Sequence, residues 1–150
     1  MSLADCYEFI SKSPEDTLNF GVRLGAHLRG GEIILLSGDL GAGKTLFTKG
    51  IASALEVDNM TPVISPSFTL VNIYKARLDI VHVDLYRLGP DDVWDLGLED
   101  FMDKHHIIIV EWGNIARAFF NMPVIDVKII YVEDQTRKIL IKGMKLICMS

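Results

Sequence analysis

Cysteine is nearly absent from this sequence. Its two copies, Cys6 and Cys148, stand near opposite ends of the 150 residues, with no CxxC spacing and no further partners. The spacing carries no thiolate metal or redox pattern, and free thiols in a reducing, cytoplasmic compartment are expected rather than a staple between the two ends. Proline is scarce too, with five copies, and no segment is repeated or low in complexity, which excludes a disordered or solenoid chain. No apolar run approaches the ~18 residues that a membrane-spanning helix needs. No basic stretch followed by an apolar one occupies the first fifteen residues, so neither membrane association nor a secretory signal is expected. Positive charge is outweighed, 15 Lys and Arg against 20 Asp and Glu, for a net charge of −5. Sequence-blind adhesion to a polyanion needs clustered basic residues, so any such contact must be local or pass through a partner. What is abundant is apolar: 49% of residues are hydrophobic, enough for a packed core in a single domain spanning 1–150.

Ser13-Pro14-Glu15-Asp16 reads as a helix start, with Ser13 as N-cap and Pro14 at the first helical position, where its missing N–H does no harm. Leu18, Val22, Gly25 and Leu28 then recur at helical spacing until Gly30-Gly31. Residues 32–37 form a short apolar run bounded by glycine, which predicts a strand covered on both faces. A glycine-rich loop and a second helix over 46–55 follow. The runs 78–83 and 107–110 each end in a carboxylate and predict two more buried strands. Between them, 90–104 holds acidic residues and then Val93, Leu96, Leu98, Phe101 and Met102, which suggests one or two short helices. Residues 124–132 and 137–142 alternate about a polar turn and predict an antiparallel hairpin. The expected class is α/β, with a mixed, mostly parallel central sheet flanked by helices and a C-terminal antiparallel hairpin.

The chemistry concentrates in Gly38-Asp39-Leu40-Gly41-Ala42-Gly43-Lys44-Thr45, a complete G-x-x-x-x-G-K-[ST] phosphate loop between a predicted strand and helix. Glycines let the backbone turn tightly and aim N–H groups inward, while the next helix presents its positive end to the same point. Asp39 through Leu46 is therefore the candidate nucleotide-binding stretch of a P-loop NTPase fold. Lys44 would reach the β- and γ-phosphates, and the Thr45 hydroxyl would hold a Mg²⁺ ion bridging them. Such a loop needs a carboxylate from a neighbouring strand. Asp84 and Glu111 both end central strands, and spacing does not rank them as metal ligand or as the residue that orients water. Either residue can instead cap the structure that follows. Ser65-Pro66-Ser67-Phe68-Thr69 offers hydroxyls in a loop able to approach the γ-phosphate, although Ser and Pro also populate ordinary loops.

Other residues carry less. His82, His105 and His106 lack metal-ligand spacing, and His82, inside an apolar run, reads as a hydrogen-bonded core histidine. Trp94 reads as core; Trp112 can stack on a base or pack under the loops, and Arg87 can meet phosphate or simply face solvent.

Taken in order, GDLGAGKT at 38–45, SPSFTL at 65–70, HVDLYRL at 82–88 and VEW at 110–112 closely resemble the bacterial TsaE proteins. The resemblance runs from about Thr17 to Trp112 and more weakly to Arg137. It implies a small ATPase needed to make threonylcarbamoyladenosine in tRNA, acting on a TsaB–TsaD heterodimer and meeting tRNA only indirectly. By position it implies phosphate and Mg²⁺ roles for Lys44 and Thr45, a switch-like loop containing Ser67 and Thr69, a hydrolytic role for Asp84, a metal-holding role for Glu111 and a nucleotide-side tryptophan in Trp112. Two positions depart from the family's usual pattern: Leu46 stands where a second Thr is common, and Ser67 where Thr is. A small-molecule or nucleotide kinase on the same fold is the competing reading. Kinase lids usually clamp the transferred group with several arginines, and between Tyr86 and Lys104 only Arg87 and Lys104 are basic. A nucleotide sensor that scarcely hydrolyses ATP is a third; the two strand-end carboxylates speak for hydrolysis.

Overall fold

The computed structural model describes residues 6–39, 41, 43–58, 60–66, 70–112 and 115–143. Leu40, Ala42, Ser67, Thr69 and Cys148, all discussed above, lie outside them. Seven strands form one sheet: β1 (Cys6–Ser11), β2 (Ile33–Gly38), β3 (Val71–Tyr74), β4 (Asp79–Asp84), β5 (His106–Glu111), β6 (Ile125–Glu133) and β7 (Thr136–Lys142). They lie in the order β1-β7-β6-β2-β5-β4-β3. The inner four are mutually parallel, while β1, β7 and β3 run antiparallel to their neighbours. The mixed sheet and the hairpin are as the sequence predicts. Strands β1 and β3 are not anticipated there. β1 extends the sheet beyond the hairpin, placing Tyr7 and Phe9 against Phe20, with ring centroids 6.0 and 4.5 Å away.

Two α-helices cover one face. Helix α1 (Pro14–Ala26) begins as expected, with the Ser13 hydroxyl accepting a hydrogen bond from the Asp16 N–H at 3.1 Å. Its fully buried face holds Phe20, Gly21 and Leu24, whereas Leu18 and Val22 are half-buried beside the second helix. Helix α2 (Lys44–Ala54) packs against it so closely that backbone meets backbone. A Cβ on Gly21 would lie 2.3 Å from the Phe47 carbonyl oxygen, and one on Gly50 only 2.2 Å from that of Leu18. The segment 90–104 forms 3₁₀ turns, Pro90–Leu96 and Leu98–Phe101, and these cover the other face together with Arg117–Phe119. Trp94 is not core. It is 61% exposed and packs on Phe119 with ring centroids 4.5 Å apart, while Val93 is buried. With three residues per 3₁₀ turn, Val93 and Leu96 share a stripe and Trp94 is rotated away from it. Among the described residues, no helix is long and apolar enough to cross a membrane.

The pleat decides where the chemistry goes. Side chains alternate across a strand. Ile34, Leu36, Ile80, Ile107 and Ile109 pack beneath the α-helices, and Ile33, Leu35, Val81, Val83, Ile108 and Val110 pack beneath the 3₁₀ turns. Being buried on both faces is why these runs read as continuously apolar. The same parity carries His82, Asp84 and Glu111 to the helical face, the side on which α2 begins.

Candidate functional site

β2 ends at Gly38, and Gly43 serves as the N-cap of α2 with φ 112°, a left-handed conformation open chiefly to glycine. The first turn of α2 contains no acidic residue, so its N–H groups and the positive end of its dipole remain uncompensated from within the helix. They look onto a cavity of about 580 Å³ bordered by Gly41, Gly43, Lys44, Thr45, Leu46, Asp84, Tyr86, Arg87, Glu111 and Trp112. The sequence therefore brings Lys44, Thr45, both carboxylates and Trp112 to one place, together with Arg87.

Lys44 is only 6% exposed. Its Nζ donates to the carbonyls of Gly38 at 2.7 Å and Asp39 at 3.0 Å, and it lies 4.7 Å from the centre of the Trp112 ring. Burial pushes the ammonium pKa below the ordinary lysine value, against the opposing pull of Glu111, Asp84 and Asp39. Trp112 itself has φ 61°, and its ring lies 5.2 Å from that of Tyr86. It borders the cavity from a backbone conformation few tryptophans adopt.

Asp84 and Glu111 are buried and occupy paired positions at the carboxyl ends of adjacent parallel strands. β5 is the immediate neighbour of β2, so Glu111 stands beside the strand that feeds the loop, and Asp84 one strand further away. Asp84 Oδ2 accepts from the Ser65 hydroxyl at 2.8 Å, and Oδ1 accepts from the Tyr86 N–H at 2.9 Å. The capping role open to it is thus real, and it coexists with a place in the cavity wall. Glu111 Oε2 lies 2.6 Å from His82 Nε2. A carboxylate only accepts, so that ring nitrogen carries the hydrogen. His82 Nδ1 is 3.3 Å from the Tyr74 hydroxyl, which also accepts from the Ile64 N–H at 3.3 Å and donates to the Ile64 carbonyl at 3.1 Å. His82 is the buried, hydrogen-bonded histidine that its apolar run predicts. That its partner is Glu111 becomes visible only once the strands are paired.

The oxygen donors of Thr45, Asp84 and Glu111 suit a hard cation, and one or two carboxylates alongside substrate phosphates is the usual protein share of a Mg²⁺ site.

Several contributors carry no motif of their own. Tyr74 belongs to the unanticipated β3. Arg137 on the hairpin reaches the phosphate loop, its Nη2 lying 3.4 Å from the Gly41 carbonyl. A recess of about 150 Å³ opens there between Ser13, Thr17, Gly41, Leu46, Gln135 and Arg137. Nothing local marks Arg137, because its contact with Gly41 spans 96 positions of chain.

The sequence profile of a family described as "Threonylcarbamoyl adenosine biosynthesis protein TsaE" matches residues 11–139. A Nostoc protein named tRNA threonylcarbamoyladenosine biosynthesis protein TsaE is 44% identical over 104 residues, which span 66% of this chain and 63% of that protein. The Rickettsia bellii protein of the same name is 38% identical over 130 residues, 85% of this chain and 89% of its own. The crystal structure of YdiB from Bacillus subtilis matches with a TM-score of 0.81 at 26% identity, covering 99% of this chain and 94% of the other. The sheet, the loop and this likeness together fit a P-loop NTPase-like fold.

Proposed function

The chain belongs to the TsaE family, and from that premise we propose a single-domain Mg²⁺-dependent ATPase that serves threonylcarbamoyladenosine modification of tRNA by acting on a TsaB–TsaD type complex in the cytoplasm. The observation that carries this reading is the meeting of Lys44, Asp84 and Glu111 in one cavity at the positive end of α2. The residues divide the work by position. Backbone N–H groups of the loop and the first turn of α2 hold the phosphates, and Lys44 gives up the carbonyls of Gly38 and Asp39 to reach the β- and γ-oxygens. Thr45 and Glu111, beside the loop strand, would hold Mg²⁺, which supplies charge neutralisation across the β- and γ-phosphates. Asp84, one strand further out, would orient the attacking water and take its proton at Oδ2, where Ser65 now donates. Water's oxygen then bonds to the γ-phosphorus as the bond to the bridging oxygen of ADP breaks.

Gly41, Gly43 and Leu46 border both the main cavity and the small recess beside Ser13, Thr17 and Arg137, and the nucleoside would extend along that side. Trp112 borders the same cavity beside the Lys44 ammonium. A kinase needs an acceptor site and a basic lid, whereas here the segment after β4 is acidic and packs Val93 and Leu98 into the core. The net charge of −5 suits a subunit that leaves tRNA to its partners.

The test is phosphate release from Mg²⁺·ATP by the protein alone and with TsaB and TsaD added. The expected result is slow release alone and strong stimulation by the pair. Label appearing on a small acceptor would support the kinase reading. Tight ATP binding without release in either mixture would refute hydrolysis.

A further inference from the structure

Residues 64 and 65 are tied to both strand-end carboxylates, by two separate routes. Ser65 bonds Asp84 directly at 2.8 Å. Ile64 reaches Glu111 through two side chains: its N–H and carbonyl both engage the Tyr74 hydroxyl, which lies 3.3 Å from His82 Nδ1, and His82 Nε2 lies 2.6 Å from Glu111 Oε2. All three side chains in this second route are buried, His82 completely. Their registry is rigid. Tyr74 pairs with Ile80 across β3 and β4, and Asp84 pairs with Glu111 across β4 and β5, so Tyr74 and Glu111 each sit diagonally from His82 on one face of the sheet. An aliphatic residue at position 82 would suit the apolar strand but would leave the buried Glu111 Oε2 without this donor. What the imidazole adds is a donor for Glu111 and a connection to Tyr74.

We propose that Tyr74 and His82 are positioning residues that aim the Glu111 carboxylate and couple it to the chain at Ile64–Ser65, so that the seating of that loop and the grip on a nucleotide-borne divalent cation change together. The proposal rests on the reading of Glu111 as the metal-holding carboxylate. A carboxylate held by a buried imidazole that itself abuts the Tyr74 hydroxyl loses orientational freedom, and partners behind a metal ligand commonly set its affinity for the ion. Because Tyr74 bonds both backbone groups of Ile64, a shift of that residue alters the hydroxyl that His82 meets.

The experiment uses the full chain loaded with a non-hydrolysable ATP analogue. Mn²⁺ affinity is read by electron paramagnetic resonance, analogue affinity is measured without metal, and amide exchange is followed at Ile64 and Ser65 with and without metal. In the wild type, metal is expected to slow exchange at Ile64. His82→Leu should weaken Mn²⁺ binding about 10–100-fold and Tyr74→Phe roughly 3–10-fold, with metal-free analogue affinity held within about twofold in both. Both substitutions should abolish the metal-dependent slowing at Ile64. His82→Gln keeps a donor where Nε2 stood; it should recover Mn²⁺ affinity to within about threefold of wild type yet leave Ile64 indifferent to metal. Should His82→Leu fail to fold, the other two variants decide. Wild-type Mn²⁺ affinity in Tyr74→Phe and His82→Leu, or equal losses with and without metal, overturns the proposal. Glu111→Gln separates the two levels: if it alone loses Mn²⁺, the positioning role fails and the site stands, and if it too binds Mn²⁺ normally, the reading of Glu111 fails with it.

Discussion

Replacing Gly50 by Ala adds one methyl group where two helices touch, and its effect can be worked out from the coordinates. The new Cβ would stand 2.2 Å from the Leu18 carbonyl oxygen, 2.9 Å from the Val22 nitrogen and 3.0 Å from the Gly21 Cα. All three neighbours are backbone atoms of α1, so no side chain can swing aside, and contact at the ordinary ~3.5 Å requires the helices to part by about 1 Å. Overpacking of this kind costs roughly 1–3 kcal/mol, with this geometry at the upper end. The better helix propensity of Ala returns about 1 kcal/mol. A net loss of about 1–2 kcal/mol lowers Tm by roughly 2–8 °C in a domain of this size. Nucleotide affinity should fall alongside stability on the proposed reading, because α2 bears Lys44 and Thr45 on its first turn and its displacement moves the N–H groups that face the cavity. Thermal unfolding followed by circular dichroism, with nucleotide affinity by calorimetry, measures both. Gly89→Ala is the control. Its Cβ would approach nothing nearer than the Asp92 carboxylate oxygen at 3.7 Å, so Tm should stay nearly unchanged. A Gly50→Ala protein as stable as wild type, with unaltered nucleotide affinity, would refute the close helix contact.

Lys44→Met should separate stability from function. The folded-state pKa of Lys44 lies below the ordinary lysine value, so the unfolded chain binds this proton more readily, and stability falls as pH drops from about 10.5 through the lowered pKa. The cost is complete once pH lies below that lowered pKa. The variant should therefore melt no lower than wild type at pH 7.5 while losing triphosphate binding, and a Tm several degrees lower would show that the carbonyl bonds of Lys44 outweigh its burial. Asp79 works in the opposite direction. Its carboxylate accepts from the Ala76 N–H at 3.0 Å, which with Lys75 holds its pKa below the ordinary Asp value. That stabilisation is present at neutral pH and is lost as pH falls through the lowered pKa. Asp79→Asn should cost roughly 0.5–1 kcal/mol at pH 7, with the gap closing toward pH 2. A gap that persists in acid would locate the effect elsewhere than in the charge.

The phosphate loop was legible because its chemistry is local. Gly38, Gly43, Lys44 and Thr45 lie within one strand–loop–helix passage, and their spacing alone brings N–H groups, ammonium and hydroxyl together. The helix start at Ser13-Pro14 was legible for the same reason. Asp84 and Glu111 could be picked out as carboxylates closing apolar runs, but their relation to each other could not. β1 went unseen because its partner β7 lies near the other end of the sequence, and β3 because the four residues Val71–Tyr74 scarcely establish a period. Trp94 misled because a 3₁₀ stripe repeats every three residues, and a helical reading of the same stretch turns that side chain inward.

Residue order was enough to establish that a G-x-x-x-x-G-K-[ST] loop lies between an apolar strand and a helix, and that acidic groups wait at the ends of two further strands. Strand order and pleat then set Glu111 beside the loop strand, Asp84 one place beyond, and His82 between Glu111 and Tyr74. Short-range spacing is written into neighbouring covalent bonds, whereas which strands become neighbours depends on the burial of two apolar faces at once, a property of the assembled sheet and not of any single segment.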